Sequence, residues 1–345
     1  MNPTLRFMVA TLAALVIGLA IVFGAQGQDA HVSPEAIATA EVVDLSPDVV
    51  NSAEYRGEPI PEGRGALILK LQVLLDRAGF SPGVIDGIMG SNVSKAIIAA
   101  EATAGLPQDG RLDADLWRVL SANAVEEPVL AAYQITPDDS AGPYIPNLPS
   151  DYAELAKLER SAFRNAREML AERFHMDEGL LADLNPGVDF GAPGTRITVA
   201  MRGQPKSGPK VAYIIADKSR AQVLGYDAEN RLVVSYPATI GSKQLPSPSG
   251  IHQVNAIATD AAYYYRPAVN LQQGNNTEPL TIPPGPNNPI GTTWIDLTEP
   301  TYGIHGTPEP SKIDKTYSHG CVRLTNWDAE ELAALVKKGV TVEFR

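Results

Sequence analysis

The chain has a single cysteine, Cys321, and two of its five histidines, His305 and His319, lie close before it. They fall in the segment YGIHGTPEPSKIDKTYSHGCVRL. A thiol, an imidazole and glycines at the turns are the parts of an acyl-transfer site. Such chemistry needs a base to take the thiol proton, because the thiolate is the nucleophile. The base needs an acceptor that fixes its tautomer. The developing oxyanion needs donors aimed at it. Cys321 is the candidate nucleophile and His305 the candidate base, reached across a loop. The backbone carbonyl of Gly306 or the hydroxyl of Ser318 is available to orient His305. Gly320 lets successive N–H groups beside Cys321 point one way, which a side chain there would disfavour. Two other readings use the same residues. His305, His319 and Cys321 offer three zinc ligands, but no fourth is evident and the flanking Ser, Gly and Arg suit acyl transfer better. A lone cysteine can also be a small buried hydrophobe.

Strands must hold these residues. From Lys210 the apolar pattern turns from helical to alternating, and 211–215, 221–226, 232–240 and 251–257 read as strands. Residues 260–300 form a long loop-rich stretch, of the kind that is functional or mobile. Thr325 or Asn326 caps a helix over 327–338, Gly339 stops it, and 341–344 is a last strand. Asp328 reads as a capping residue. Upstream, Leu67, Leu71, Leu74 and Leu75 stand at helical spacing, and the chain breaks at Gly79 and Pro82. A second helix covers 93–102, and Asp113 caps a third that carries Trp117 and Leu120. Residues 28–62 and 123–150, both with prolines, read as linkers. Residues 151–172 read as one helix with Leu155, Leu158, Ala162, Ala166 and Leu170 on its apolar side. His175 reads as a packed or surface residue, not a ligand.

At the start, Arg6 precedes an apolar stretch from Phe7 to Gly24, and small residues follow at Ala25 and Gly27. That is the layout of a secretory signal over 1–27. Its 24 − 7 + 1 = 18 apolar residues also approach a membrane span, so an inner-membrane anchor is the alternative. Either way the rest of the chain is exported, to a periplasm or cell envelope. The formal net charge of −12 argues against a nucleic-acid partner, which needs a basic face. With 44% hydrophobic residues the chain can build real cores, and its 345 residues suggest two or three domains.

His-Gly-Thr, a loop, and then Ser-His-Gly-Cys-x-Arg-Leu resembles the active-site signature of the L,D-transpeptidase family, over about residues 210–345. Ser247-Pro248-Ser249-Gly250 is similar to that family's Thr-Pro-x-Gly turn. Gly285-Pro286-Asn287-Asn288-Pro289-Ile290-Gly291 is similar to its Gly-Pro-x-Asn-Pro-Leu-Gly stretch, and Thr325-Asn326-Trp327-Asp328-Ala329 also fits. His252 stands where the family commonly has an aromatic residue. Residues 63–122 resemble a three-helix peptidoglycan-binding module, with Ala100-Glu101 in place of the usual Phe-Gln. Residues 151–205 resemble the latter part of a lysin motif, whose usual first strand is missing.

The fold class implied is α+β and multidomain: a small three-helix module, a lysin-motif-like adaptor and a C-terminal domain built on a mixed β-sheet. The resemblance implies that Cys321 attacks the L,D peptide bond of a tetrapeptide stem and that the terminal D-residue leaves. The thioester is then resolved by an amine of a neighbouring stem or of an envelope protein. It implies His305 as base, backbone donors from His319, Gly320 and Cys321, and Arg323 and Tyr302 toward the substrate. It implies no cofactor. The partners implied are peptidoglycan stem peptides and glycan strands, with carbapenems as covalent inhibitors. An L,D-carboxypeptidase that uses water and a non-catalytic wall-binding scaffold are the rival readings. The helical module is expected to localise the enzyme and to take no part in the chemistry.

Overall fold

The computed structural model describes residues 43–122, 127–204, 206, 208, 210–242, 245–269, 272–316 and 320–345. The expected signal over 1–27, residues 28–42 of the first expected linker, and Ser318 and His319 of the site lie outside these residues.

The remainder of the first expected linker carries a helix, α1 (Pro47–Ser52), with Val50 fully buried. Asn51 holds it in place. Its Nδ2 donates to Leu130 O, and its Oδ1 accepts from the N–H groups of Val129 and Leu130. The leucine spacing then yields α2 (Ala66–Ala78), followed by α3 (Ser91–Ala104) and α4 (Ala114–Ser121). Helices α2 and α3 end at glycines in the left-handed region, Gly79 (φ 89°) and Gly105 (φ 70°). Asp113 caps α4 by accepting from Leu116 N at 2.8 Å.

Residues 123–150 are not simply a linker. β1 (Leu130–Gln134) pairs antiparallel with β2 (Arg196–Ala200), and α5 (Pro137–Ala141) follows β1 behind a Thr136–Asp139 capping box. β1 is a strand that the sequence reading does not place. Its partner lies far downstream, so no local pattern marks it. Nor do residues 151–172 form one helix. They divide into α6 (Tyr152–Leu155) and α7 (Ala166–Arg173). Between them, Ser161 spends its backbone on distant chain: its N–H donates to Pro284 O, and its carbonyl accepts from Asn287 N. Asn165 restarts the helix by accepting from Glu168 N. α8 (Glu178–Asp183) follows, capped by Asp177. One apolar core joins the helical module to this adaptor, with Leu71, Leu75, Ile97 and Leu116 in the same cluster as Leu130, Leu170, Leu180 and Val199.

The C-terminal half is a mixed sheet. In chain order it has β3 (Tyr213–Asp217), β4 (Gln222–Tyr226), β5 (Leu232–Pro237), β6 (Thr239–Ile240) and β7 (Gly250–Thr259). A separate hairpin, β8 (Tyr263–Tyr265) and β9 (Leu280–Ile282), and then β10 (Thr293–Leu297) fill the stretch read as loop-rich. β11 (Gly303–His305), β12 (Val322–Arg323), α9 (Asn326–Leu335) and β13 (Thr341–Phe344) complete it. Across the sheet the order is β5-β4-β3-β13-β7-β10-β11-β12-β6. β13 with β3 and β11 with β12 are the parallel pairs. α9 buries Ala329, Leu332 and Leu335 in a second core with Ile214, Val254, Ile295, Ile304 and Val322.

The module, the adaptor and the sheet meet at the start of α9. Thr325 caps α9 by accepting from Asp328 N. Asp328 in turn accepts from Ser81 Oγ at 3.0 Å, and burial raises its carboxyl well above the usual range. Gly79 and Ser81 exchange backbone hydrogen bonds with Ser235 of β5. His175 is packed: Nδ1 lies 2.9 Å from Asp76 Oδ1, and the ring stacks on Trp327 at 5.0 Å. Glu172 lines a cavity of about 470 Å³ at this junction. It keeps partial exposure to that cavity, yet protein encloses its carboxyl on the other sides. Burial therefore pushes it up to about 8, although Asn326 Nδ2 donates to it at 2.8 Å.

Two outcomes follow from this packing. Leu71 is fully buried in the core shared by module and adaptor. Leu71→Ala should cost about 2–5 kcal/mol in urea unfolding, with helix and strand signals of both pieces shifting together; separate transitions would contradict a shared core. Glu172 retains a proton in the folded state that the unfolded chain, at 4.5, has released. Its stabilising effect is thus complete below pH 4.5 and is lost as pH rises through about 8. Glu172→Gln should flatten the fall in stability across that window, whereas parallel curves for the two proteins would refute the assignment.

Candidate active site

Two short strands position the chemistry. β11 and β12 run parallel, with Ile304 opposite Val322 and His305 opposite Arg323. Side chains alternate along a strand. Ile304 and Val322 are fully buried in the sheet's core. His305 and Arg323 therefore face the other side, and so does Cys321, which precedes Val322. Continuing the register sets Cys321 beside Gly303, whose backbone N–H favours the thiolate. The thiol itself donates toward Thr301 O at 3.8 Å.

Trp294 of β10 stands opposite His305 and stacks on it at 5.6 Å, 22° between planes. The same indole covers Gly303, where a Cβ would lie 2.6 Å from the ring. His305 is 5% exposed, and its Nδ1 lies 2.7 Å from the carbonyl oxygen of Gly306. A carbonyl only accepts, so Nδ1 carries the proton and Nε2 is the basic nitrogen of the neutral ring. Of the two orienting groups open in the sequence, the Gly306 carbonyl is thus in contact; Ser318 lies outside the described residues.

Both ionisable groups are held neutral. Burial pushes the Cys321 thiol up, against the pull of the Gly303 N–H and of Arg323. Burial, and then the Arg323 charge, holds His305 down at about 3, although the carbonyls of Gly306 and Ile290 favour its protonated form. The acyl-transfer reading asks for a base that takes the thiol proton, and the folded site rests as neutral thiol and neutral imidazole. Partial exposure leaves Cys321 open to a small reactant.

Gly320 has φ 106°, a conformation that side-chain-bearing residues avoid. Tyr302 explains the same glycine sterically, since a Cβ there would sit 2.7 Å from its Cε1. The Tyr302 hydroxyl donates to Pro246 O at 3.5 Å, which brings the turn before β7 beside the site. Tyr302 thus backs the candidate oxyanion turn. Arg323 faces the same side of the sheet as Cys321 and His305, and its charge acts on Cys321, His305, Tyr152 and Tyr263. His252 sits apart from this group, against Phe344 and Ser249 O. Among the described residues, no group of three or more His, Cys, Asp or Glu is arranged to hold a metal ion.

Sequence reasoning misses three residues here and gives a fourth, Asn326, no role at the site. Trp294 stacks on the imidazole. Tyr263 lies within electrostatic reach of Cys321, and its phenol is raised by burial, then by Tyr152 and Cys321. Tyr152 packs on Tyr263 and Tyr265 edge-to-face, at 6.0 and 5.2 Å. Asn326 braces the glycines: a Cβ at Gly291 or Gly306 would lie 1.9 or 2.2 Å from its Oδ1. The available signals were the tyrosine run at 263–265 and the asparagine at the head of α9.

Known proteins match in the same places. Residues 211–343 match the L,D-transpeptidase catalytic domain family, and residues 64–120 match the putative peptidoglycan binding domain family. The putative L,D-transpeptidase YkuD of Bacillus licheniformis is 30% identical over 175 residues, which is 51% of this chain and 90% of that protein. The protein of the same name from Bacillus subtilis is 29% identical over 174 residues, 50% of this chain and 89% of that one. The crystal structure of an L,D-transpeptidase from Xylanimonas cellulosilytica covers 85% of this chain and 100% of its own, at 16% identity and a TM-score of 0.38. With a thiol, an imidazole and an arginine on one strand face, inside the matched region, the chain belongs to the L,D-transpeptidase family.

Proposed function

We propose that the chain is a peptidoglycan L,D-transpeptidase whose nucleophile is Cys321. The observation that carries this reading is the β11–β12 register, which sets Cys321, His305 and Arg323 on one face. Nε2 of His305 takes the thiol proton as Sγ attacks the carbonyl carbon of the L,D bond in a tetrapeptide stem. The carbonyl becomes an oxyanion, met by backbone N–H groups around Gly320 and Cys321, with His319 as a further donor. The intermediate collapses, the C–N bond breaks, and the terminal D-residue leaves as an amine with the proton from His305. A thioester remains on Cys321. An amine from a neighbouring stem or an envelope protein attacks it and gives its proton back through His305 to the sulfur. Arg323 receives the substrate's carboxylate, and Tyr302 shapes the turn at Gly320. Residues 64–120 supply affinity for the wall, so the enzyme works in the cell envelope. Among the described residues no helix is long and apolar enough to cross a membrane.

Carbapenems are acyl donors and probe the thiol directly. Intact mass should show a single adduct on the wild type and none on Cys321→Ala. His305→Ala should acylate roughly 10²–10⁴-fold more slowly while remaining folded. Because His305 is held at about 3, it stays a base in mild acid, and the acid limb of the acylation profile should fall far below the usual histidine value of about 6.5. An adduct that survives Cys321→Ala, or an acid limb near that ordinary value, would defeat this mechanism. With tetrapeptide muropeptides, cross-linked dimers are the expected products; tripeptides alone would mean that water is the acceptor.

A further inference from the structure

The segment between His305 and Cys321 is gripped by the N-terminal module. Helix α3 begins at Ser91 after Gly90, which offers no capping side chain. Asp314, from the far domain, meets side chains at the start of that helix. Its Oδ2 accepts from Ser91 Oγ at 3.2 Å and from Lys95 Nζ at 2.6 Å. The Lys95 and Asp314 side chains are 16% and 21% exposed, so solvent screens this pair less than the exposed pairs of the surface. Beside it, Asn92 Nδ2 reaches Ile313 O at 3.5 Å, and Ile313 is buried.

The opposite side of the segment is held by the sheet. Asp314 N donates to Thr239 Oγ1 at 2.9 Å. Thr239 belongs to β6, where it pairs with Arg323 of β12. Asp314 itself has φ 62°, a conformation that costs an L-residue energy and persists where contacts on several sides require it. Helix α3 is in turn fixed to the sheet, because Gln222 Nε2 donates to both Lys95 O and Ser235 Oγ. A loop pinned at its middle has much less freedom than one tied only at its ends.

We infer that Lys95 is a positioning residue for acyl transfer: through Asp314 it fixes the chain that connects the base to the nucleophile. The N-terminal module is then part of the frame of the active site, not only a wall tether. This inference rests on the reading of Cys321 as nucleophile. Displacing a reacting group by about 1 Å can cost up to about 100-fold in rate, and an ion pair lost from the side of the loop acts by such displacement.

The test uses the full chain. Lys95→Met keeps most of the aliphatic stem and removes the charge. It should slow carbapenem adduct formation about tenfold and lower kcat for a tetrapeptide muropeptide while KM stays close to that of the wild type. Lys95→Arg should restore both, and Lys157→Met, at an exposed pair elsewhere, should change neither. A contact that only glues the modules together would lower the melting temperature and leave the acylation rate of the folded protein unchanged, and that result would overturn the inference. So would a wild-type acylation rate in Lys95→Met with the adduct confined to Cys321. An adduct persisting on Cys321→Ala would instead defeat the nucleophile assignment, and this inference with it. If Lys95→Met does not fold, Asp314→Asn, which tolerates the left-handed conformation, gives the same comparison.

Discussion

The site depends on a parallel pairing between two strands that are too short to hold together alone. β11 has three residues and β12 two. Parallel neighbours need a long connection, and here it runs from Gly306 to Cys321. The pairing survives because each strand has a second, antiparallel neighbour: β10 beside β11, and β6 beside β12. Ile304 and Val322 then anchor it by burial in the core. Alternation does the remaining work, since the residues flanking those two anchors must emerge on the opposite face.

Asn326 shows how the motifs and the packing are one constraint. Its Oδ1 accepts from Thr292 N, and its Nδ2 donates to Pro286 O and to Glu172. Gly291 and Gly306 press against that side chain with no room for a Cβ. The glycine after His305 is therefore a packing requirement as well as the source of the carbonyl that orients the imidazole. Through Glu172 the same asparagine reaches the adaptor, so the surroundings of His305 are set by contacts that extend across module boundaries.

The sequence made the family legible because the residues of its motifs sit close together around one cysteine. Helix spacing and caps were legible for the same local reason: Asp113, Thr325 and the leucines of α2 act within a turn of themselves. What escaped was set by distance. β1 is a strand because β2 completes it, and the break between α6 and α7 exists because Ser161 bonds to Pro284 and Asn287. β11 and β12 are too short to show any period. The module read as a separate tether shares a core with the adaptor and bonds to the edge strand β5, and nothing in its own residues announces either contact.

The neutral resting state of the site has a consequence for a lone thiol in a wall enzyme. Oxidants and stray disulfides react with thiolate, not thiol. A cysteine kept ionised by a charged histidine would be reactive at all times, with no second cysteine in the chain to rescue it. Here burial raises the thiol and lowers the imidazole, so charge separation in the empty site is unfavourable. In the proposed mechanism it becomes favourable only as a carbonyl is attacked and the negative charge moves from sulfur to oxygen. Arg323 acts on the two groups in opposite senses: its positive charge favours the thiolate and disfavours the imidazolium that would hold the thiol's proton. If Cys321 is the nucleophile of the proposed mechanism, the same burial that looks like a handicap confines its reactivity to the moment when a substrate is bound.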